Sequence, residues 1–274
     1  MSQIATSVTT LSAGLAAGPV GRVLFIDADL MLYAGYHGWP STRTIGALTL
    51  YFAVDKPLHF GVDDAPPREC VVAVAPPYVP HRVSAAGTPM YGVLMIEPEC
   101  MDMAAVRGML TAAALDRLGV RIRELVARLG RPGAKADFFP GGLESALFAA
   151  PLPRKPVDAR VWKVVDRIRR QPGENFTARD CAALAALSPS RFIHLFNDEL
   201  GVSFRAFRAW KRARSFLNLL TREANLTRVA LDMGYPDASY FSHTIRRVYG
   251  LKPKDIFAGA RYLTHFGEAQ QLSR

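Results

Sequence analysis

Apolar positions change rhythm along this chain. Between Arg22 and Glu97 they come as short runs rich in β-branched and aromatic residues: Val23–Ile26, Thr49–Val54, Cys70–Val74 and Gly92–Ile96. Turn formers punctuate them, at Gly35, Gly38-Trp39-Pro40, Asp63 to Pro67, Pro76-Pro77 and Gly87. Short strands at near-regular spacing predict an all-β sandwich or barrel. Over residues 101–130 the rhythm turns helical, with Val106, Leu110, Ala114, Leu118, Ile122, Leu125 and Leu129 recurring at spacings of three and four. One or two amphipathic helices are predicted there, with Gly108 or Gly119 as the break. Their stripe suits either a cover for the β-domain or a helix pair between two chains. Residues 131–156 are dense in Pro, Gly and basic residues and read as a linker, with a short helix near 143–150. From Val157 the spacing predicts seven helices. The longest runs from about Ser203 to Arg222, burying Phe204, Phe207, Trp210, Ala213, Leu217 and Leu220, with Arg205, Arg208, Lys211, Arg212 and Arg214 on the remainder.

One of these helices, Ala238 to Gly250, has two opposed faces. Phe241, Ile245 and Val248 form the apolar stripe, and Ser239, Ser242, His243 and Arg246 lie opposite. Gly250 occupies a C-cap position and Pro253 prevents resumption. A shift of 49 residues brings back the arrangement: Phe192 matches Phe241, Phe196 matches Ile245, and Ser190, Ile193, His194 and Asn197 take the opposite face. A short helix precedes each. Phe176-Thr177 opens the first, with Thr177 and Asp180 forming a capping box and Phe176 stapling onto Cys181. Leu226-Thr227 opens the second, which ends in the turn Gly234-Tyr235-Pro236. Helix, short turn, helix, with a polar face on the second helix, is the helix-turn-helix pattern, and it occurs twice.

Charge reinforces this. Residues 151–274 hold 22 Lys+Arg against 11 Asp+Glu, whereas residues 1–150 hold 12 against 13. The positive excess of the whole chain, +10, belongs to the half with the repeated motif, which favours a polyanionic partner. Ser190, Ile193 and His194 with Ser239, Ser242 and His243 are candidates for base edges: serine donates or accepts, and Ile193 suits a thymine methyl. With no Arg or Gln among the six, shape readout gains weight. Arg191, Asn197, Arg246 and Arg247 are candidates for phosphates. Three cysteines, Cys70, Cys100 and Cys181, lack metal-ligand spacing and fit reduced thiols in cytoplasm. Residues 1–20 read as flexible, without the basic start of a signal peptide, and no apolar run is long enough to predict a membrane span.

Residues from about 157 to 259 resemble the DNA-binding domain of the AraC/XylS family of transcription regulators. The resemblance is carried by Ser188-Pro-Ser-Arg-Phe-Ile-His-Leu-Phe196, Glu199-Leu-Gly-Val-Ser-Phe204, Arg208-Ala-Trp-Lys-Arg212, Gly234-Tyr-Pro-Asp-Ala-Ser-Tyr-Phe241 and Gly250-Leu-Lys-Pro253. Ile245 stands where family members have Phe, and Ile256-Phe257 where they usually have Tyr-Arg. The resemblance places base contacts at the same positions of the two helices. It also implies that the β-domain is a cupin-like barrel binding a small effector. Pro76-Pro77-Tyr78-Val79-Pro80-His81 is similar to the second cupin motif, but the first, with its paired histidines and Glu, is missing, so neither metal nor cofactor is expected. Tyr33, Tyr36, His37, Trp39, His59 and His81 are the candidate effector-pocket residues.

The expected fold is therefore multidomain α+β. A flexible 1–20 precedes a cupin-like β-barrel with helices (21–132), a linker (133–156), an all-α domain with two helix-turn-helix motifs (157–260) and a tail (261–274). The expected function is sequence-specific regulation of transcription as an activator, not enzymic. Its expected partners are double-stranded promoter DNA, RNA polymerase, a small effector and a second copy of the chain, with no membrane. The alternatives are a cupin-type metal-dependent enzyme with an incidental basic tail and a ligand-independent architectural DNA binder.

Overall fold

The computed structural model describes residues 8–9, 22–38, 40–85, 87, 90–131, 142–148, 150–220, 225–260 and 264–266. The chain divides into two compact units, Met1–Pro153 with Arg246–Glu268, and Arg154–Ile245 with Ala269–Arg274.

Among the described residues the first unit holds eleven strands, β1 (Val8–Thr9), β2 (Val23–Ile26), β3 (Leu30–Tyr36), β4 (Ser41–Arg43), β5 (Leu48–Phe52), β6 (Leu58–Val62), β7 (Arg68–Cys70), β8 (Val72–Ala75), β9 (His81–Ala85), β10 (Met90–Ile96) and β11 (Thr264–Phe266). They form a seven-stranded sheet in the order β1-β8-β5-β10-β3-β2-β11 and a four-stranded sheet in the order β4-β9-β6-β7. Among the described residues no ladder joins the two sheets, so the strands make two layers where a closed barrel had been one expectation. The four predicted runs all lie on strands; β1, β3, β4, β6, β9 and β11 fall outside them. β3 follows β2 through a turn set by Asp27, whose Oδ1 accepts from the amides of Asp29 (2.9 Å) and Leu30 (2.6 Å). Paired antiparallel with β10 from Leu30↔Ile96 to Tyr36↔Met90, β3 lies inside the sheet. β11 pairs parallel with β2, so part of the expected tail is a sheet edge.

The helical stripe at 101–130 resolves into α1 (Met103–Met109) and α2 (Ala112–Leu129). The break is at neither predicted glycine: Thr111 caps α2, its hydroxyl accepting from Ala114 N at 3.3 Å. Gly108 and Gly119 sit within the helices, and Gly119 lets α2 approach Val72 of β8. α3 (Gly142–Leu147) buries Leu143 and Leu147, and Arg121 Nη1 donates to the Leu147 carbonyl at 3.1 Å. This part of the predicted linker is packed against α2.

The seven predicted helices of the basic half are α4 (Ala159–Arg170), α5 (Ala178–Leu184), α6 (Pro189–Leu200), α7 (Phe204–Ser215), α8 (Leu226–Asp232), α9 (Ala238–Tyr249) and α10 (Pro253–Ala260). α7 is shorter than expected and continues as a 3-10 turn over Phe216–Leu219. The unit boundary falls inside α9, after Ile245. The repeat is exact in its borders: α6 and α9 both have 12 residues, offset by 49, and Gly201 and Gly250 end them at φ 65° and 77°. Ser188 accepts from Arg191 N, and Asp237, at the equivalent place, accepts from Tyr240 N at 2.7 Å. The capping box of Thr177 and Asp180 is present. In the second copy the cap is Asn225, one residue before the predicted opening, accepting from Thr227 N at 2.8 Å.

The turn of each motif needs a left-handed residue, Ala186 (φ 52°) in the first and Gly234 (φ 71°) in the second. A methyl group on Gly234 would drive into the Gly173 carbonyl. Gly234→Ala is therefore expected to destabilise the helical unit by about 2–3 kcal/mol in urea denaturation followed by circular dichroism. Ala186→Gly should be neutral or stabilising by up to about 1 kcal/mol. Equal losses in the two variants would contradict the steric account.

Candidate nucleic-acid interface

Each recognition helix is rotated by what it buries. Phe192 and Phe196 of α6 are fully buried in a cluster with Val161, Val164, Val165, Ile168, Phe204 and Phe207, and the Phe192, Phe196 and Phe204 rings pack at 5.3–5.6 Å. Phe241 and Ile245 of α9 are equally buried, with Phe241 against Phe216 (5.4 Å) and Tyr235 (5.3 Å). The opposite faces consequently point to solvent. Ser190, Arg191 and His194 are exposed on α6, and Ser239, His243, Arg246 and Arg247 on α9. Ser242 is half-buried. Ile193 is half-buried against the α6 core, which leaves only part of its side chain for a methyl contact. Asn197 is half-buried too, its Oδ1 making no hydrogen bond with a described residue.

Tyr240 is an exposed side chain of α9 outside the candidate set. It is 56% exposed in the first turn of α9, at the place that Arg191 takes on α6. The 49-residue repeat carries that signal in the sequence. Several α7 cations behave differently from a solvated fringe. Lys211 and Arg214 are buried, and Lys211 Nζ lies 5.3 Å from the Phe207 ring. Arg208 donates to Asn175 Oδ1 at 3.1 Å and lies over Phe204, while Arg212 lies over Tyr235 at 5.5 Å. These groups bind the helical unit together through their stems and cation–π contacts.

The effector-pocket candidates separate into two groups. His37 stacks on Tyr91 at 3.8 Å and meets Tyr33 edge-on at 4.7 Å. Tyr51 lies 6.0 Å from Tyr91, and its hydroxyl is 2.6 Å from His81 Nε2. His81 Nδ1 pairs with the Val79 carbonyl at 2.8 Å, which requires that nitrogen to donate, so Nε2 accepts from Tyr51. Thus Tyr33, His37 and His81 come together with Tyr51, Tyr91 and Arg43, none of the last three having been proposed from the sequence. Tyr36 contributes its carbonyl to the Tyr33 hydroxyl at 2.8 Å. His59 alternates with the inward Phe60 on β6 and lies on the other face. Trp39 lies outside the described residues. Burial pushes the His81 imidazole down to about 4, and burial together with the Arg43 charge holds His37 well below the ordinary histidine value. Burial raises the thiols of Cys70 to about 12 and Cys181 to about 11, so both are protonated at neutral pH. Among the described residues no three His, Cys, Asp or Glu side chains gather as a metal site, and no helix is long and apolar enough to cross a membrane.

With this geometry in hand, the comparisons with known proteins are specific. The family model described as "Helix-turn-helix domain" matches residues 181–259. The arabinose operon regulatory protein of Escherichia coli is 32% identical over 106 residues, 38% of this chain and 36% of that protein. Residues 181–259 are a helix-turn-helix domain of the AraC type. An uncharacterized HTH-type transcriptional regulator of Haemophilus influenzae is 28% identical over 97 residues, 35% of this chain and 33% of that protein. The chain thus spans about a third of the length of the curated relatives it matches. The crystal structure of ToxT from Vibrio cholerae is similar in fold across both units, with a TM-score of 0.53 over 85% of this chain and 98% of that one at 12% identity.

Two buried neutral imidazoles make the fold sensitive to acid. The unfolded chain takes up protons near pH 6.5, whereas folded His81 resists until about pH 4. Stability is therefore expected to fall as pH drops through that window, by up to roughly 1.4 kcal/mol per pH unit for each histidine. Urea midpoints at pH 7 and pH 5 measure this, and His81→Gln should lessen the difference. Equal midpoints at the two pH values would show the rings to be accessible.

Proposed function

We propose that this chain is a sequence-specific DNA-binding regulator of transcription. The observation that carries the reading is the duplicated helix pair, in which α6 and α9 present the same exposed positions from equally buried Phe anchors. Its similarity to an arabinose operon regulatory protein and to an HTH-type transcriptional regulator supports it. Ser190, Ile193, His194, Ser239, Ser242 and His243 are assigned to base edges, with Tyr240 added from its exposure. Arg191, Asn197, Arg246 and Arg247 are assigned to phosphates. The β-domain is read as a cupin-like module that binds a small effector and forms a homodimer, and the regulator as a cytoplasmic activator that contacts RNA polymerase. The convergence of Tyr33, His37 and His81 supports the effector role. Met109 and Val120, exposed at 39% and 45%, support a helix-mediated dimer. An effector acts by its differential affinity for two states of the protein, which shifts the population competent for DNA.

Footprinting across the genome tests the reading. It should return a discrete set of promoters, each with two elements about one helical turn apart. Binding with no preference over random duplex would overturn it in favour of an architectural binder. At a bound site, Ser239→Ala with His243→Ala should cost about 1–3 kcal/mol and relax selectivity. Arg246→Ala should weaken cognate and random DNA alike and reduce the salt slope by about one. Anisotropy titrations across a salt series separate these outcomes. An unaltered slope would remove Arg246 from the phosphate contacts.

A further inference from the structure

The two motifs match in their apolar anchors but not in their charge. Residues 177–201 hold two Lys+Arg against three Asp+Glu, and residues 225–250 hold three against two. The sharpest difference is in the last turn of the recognition helices. There the 49-residue offset sets Asp198 of α6 against Arg247 of α9, both exposed. The carbonyl groups at a helix C-terminus favour cations and oppose carboxylates. α9 follows that rule with Arg246 and Arg247 in its last turn, and α6 has no basic residue there. The other acids of the two motifs have structural duties. Asp180 completes the capping box with Thr177, and Glu199 Oε2 accepts from the Asp158 amide at 3.0 Å, at the start of α4. Asp232 pairs with Arg228 at 3.9 Å, and Asp237 caps α9. Among the described residues no hydrogen bond or ion pair holds the Asp198 carboxylate, so the stability of the fold does not account for it.

Asp198 follows Arg191 by seven residues, about two helical turns, which puts both on one line of the exposed face of α6. The matching line on α9 runs from Tyr240 to Arg247. Recognition helices present their N-terminal residues to base edges. Asp198, the tenth of the twelve residues of α6, therefore falls towards the phosphate backbone rather than onto a base. We infer that Asp198 makes entry of the first motif into DNA conditional on sequence. Its carboxylate opposes the phosphates that Arg247 attracts at the equivalent place. Charge thus holds the second motif on a duplex of any sequence, while the first enters only where Ser190 and His194 meet matching bases. The inference rests on the DNA-binding reading and adds an unequal division of work between the motifs. Two opposed effects decide whether α6 docks: an attraction that depends on the bases, and a repulsion that every duplex shares.

Footprinting and anisotropy titrations with the full chain test this on a bound promoter. Ser190→Ala with His194→Ala should lose protection of one of its two elements and keep the other, which identifies the first motif's element. On a duplex with that element scrambled, the wild-type chain should protect the remaining element alone. Asp198→Arg should restore protection across the scrambled element, raise affinity about tenfold at 0.1 M salt and steepen the salt slope by about one. Asp198→Asn should give a smaller gain in the same direction. Neither variant should lower Tm, since each removes a carboxylate from a helix C-terminus. Unchanged affinity and slope in Asp198→Arg would show that the carboxylate does not face phosphate and would overturn the inference. Weaker promoter binding by both variants, with random duplex unaffected, would make Asp198 a base contact and overturn it as well. Loss of both elements, or of neither, in the Ser190 and His194 double variant would contradict the unequal division. In all these cases the regulator reading stands if the wild-type chain prefers the promoter to random duplex. Absence of that preference would overturn the two together.

Discussion

Burial of one aromatic ring per recognition helix governs the geometry of the helical half. Phe192 and Phe241 are both 0% exposed, and fully burying such a side chain stabilises by roughly 1.5–3 kcal/mol relative to leaving it in water. Turning either helix by one residue would put its ring into solvent. The polar face thus has no freedom of its own: Ser190 and His194, or Ser239 and His243, stand where the buried Phe leaves them. The caps act in the same sense. Ser188 and Asp237 fix where each helix begins, and Gly201 and Gly250 fix where it ends, so the two faces have the same length as well as the same orientation.

The same burial constrains the cations around these helices. A long basic chain beside an aromatic core can lay its stem along the apolar surface and bring its charge over a ring. Lys211 over Phe207 and Arg212 over Tyr235 follow this rule. The positive charge of this half is therefore divided. Part of it consolidates the core of the domain, and part, on Arg191, Arg246 and Arg247, stays at the exposed faces.

In the β-half the controlling fact is a charge held out of water. Arg43 is surrounded by phenols and neutral imidazoles contributed by β3, the segment after it, β5, β9 and β10. Pairing of β3 with β10, and of β10 with β5, brings Tyr33, Tyr51 and Tyr91 within reach of one another although they are far apart in the chain. Such a cluster is specified by sheet order.

What the sequence determined by itself is local. The 3.6-residue period, the capping box of Thr177 and Asp180, the glycines after α6 and α9 and the 49-residue repeat depend on neighbours within a turn or two, and each is present where the residues placed it. Strand runs with β-branched residues were equally legible. Strand β9, carrying His81 and Arg82, was not, because it is five residues long and Val83 is its one large apolar side chain, so its inward face is partly polar. Tertiary structure decided the rest. It chose the Thr111 break over either glycine, buried Lys211 and Arg214, exposed Tyr240, and gathered Arg43 with the histidines while turning His59 away. Periodicity tells which side of an element is apolar, but which distant element covers that side is set by packing, and no local signal carries it.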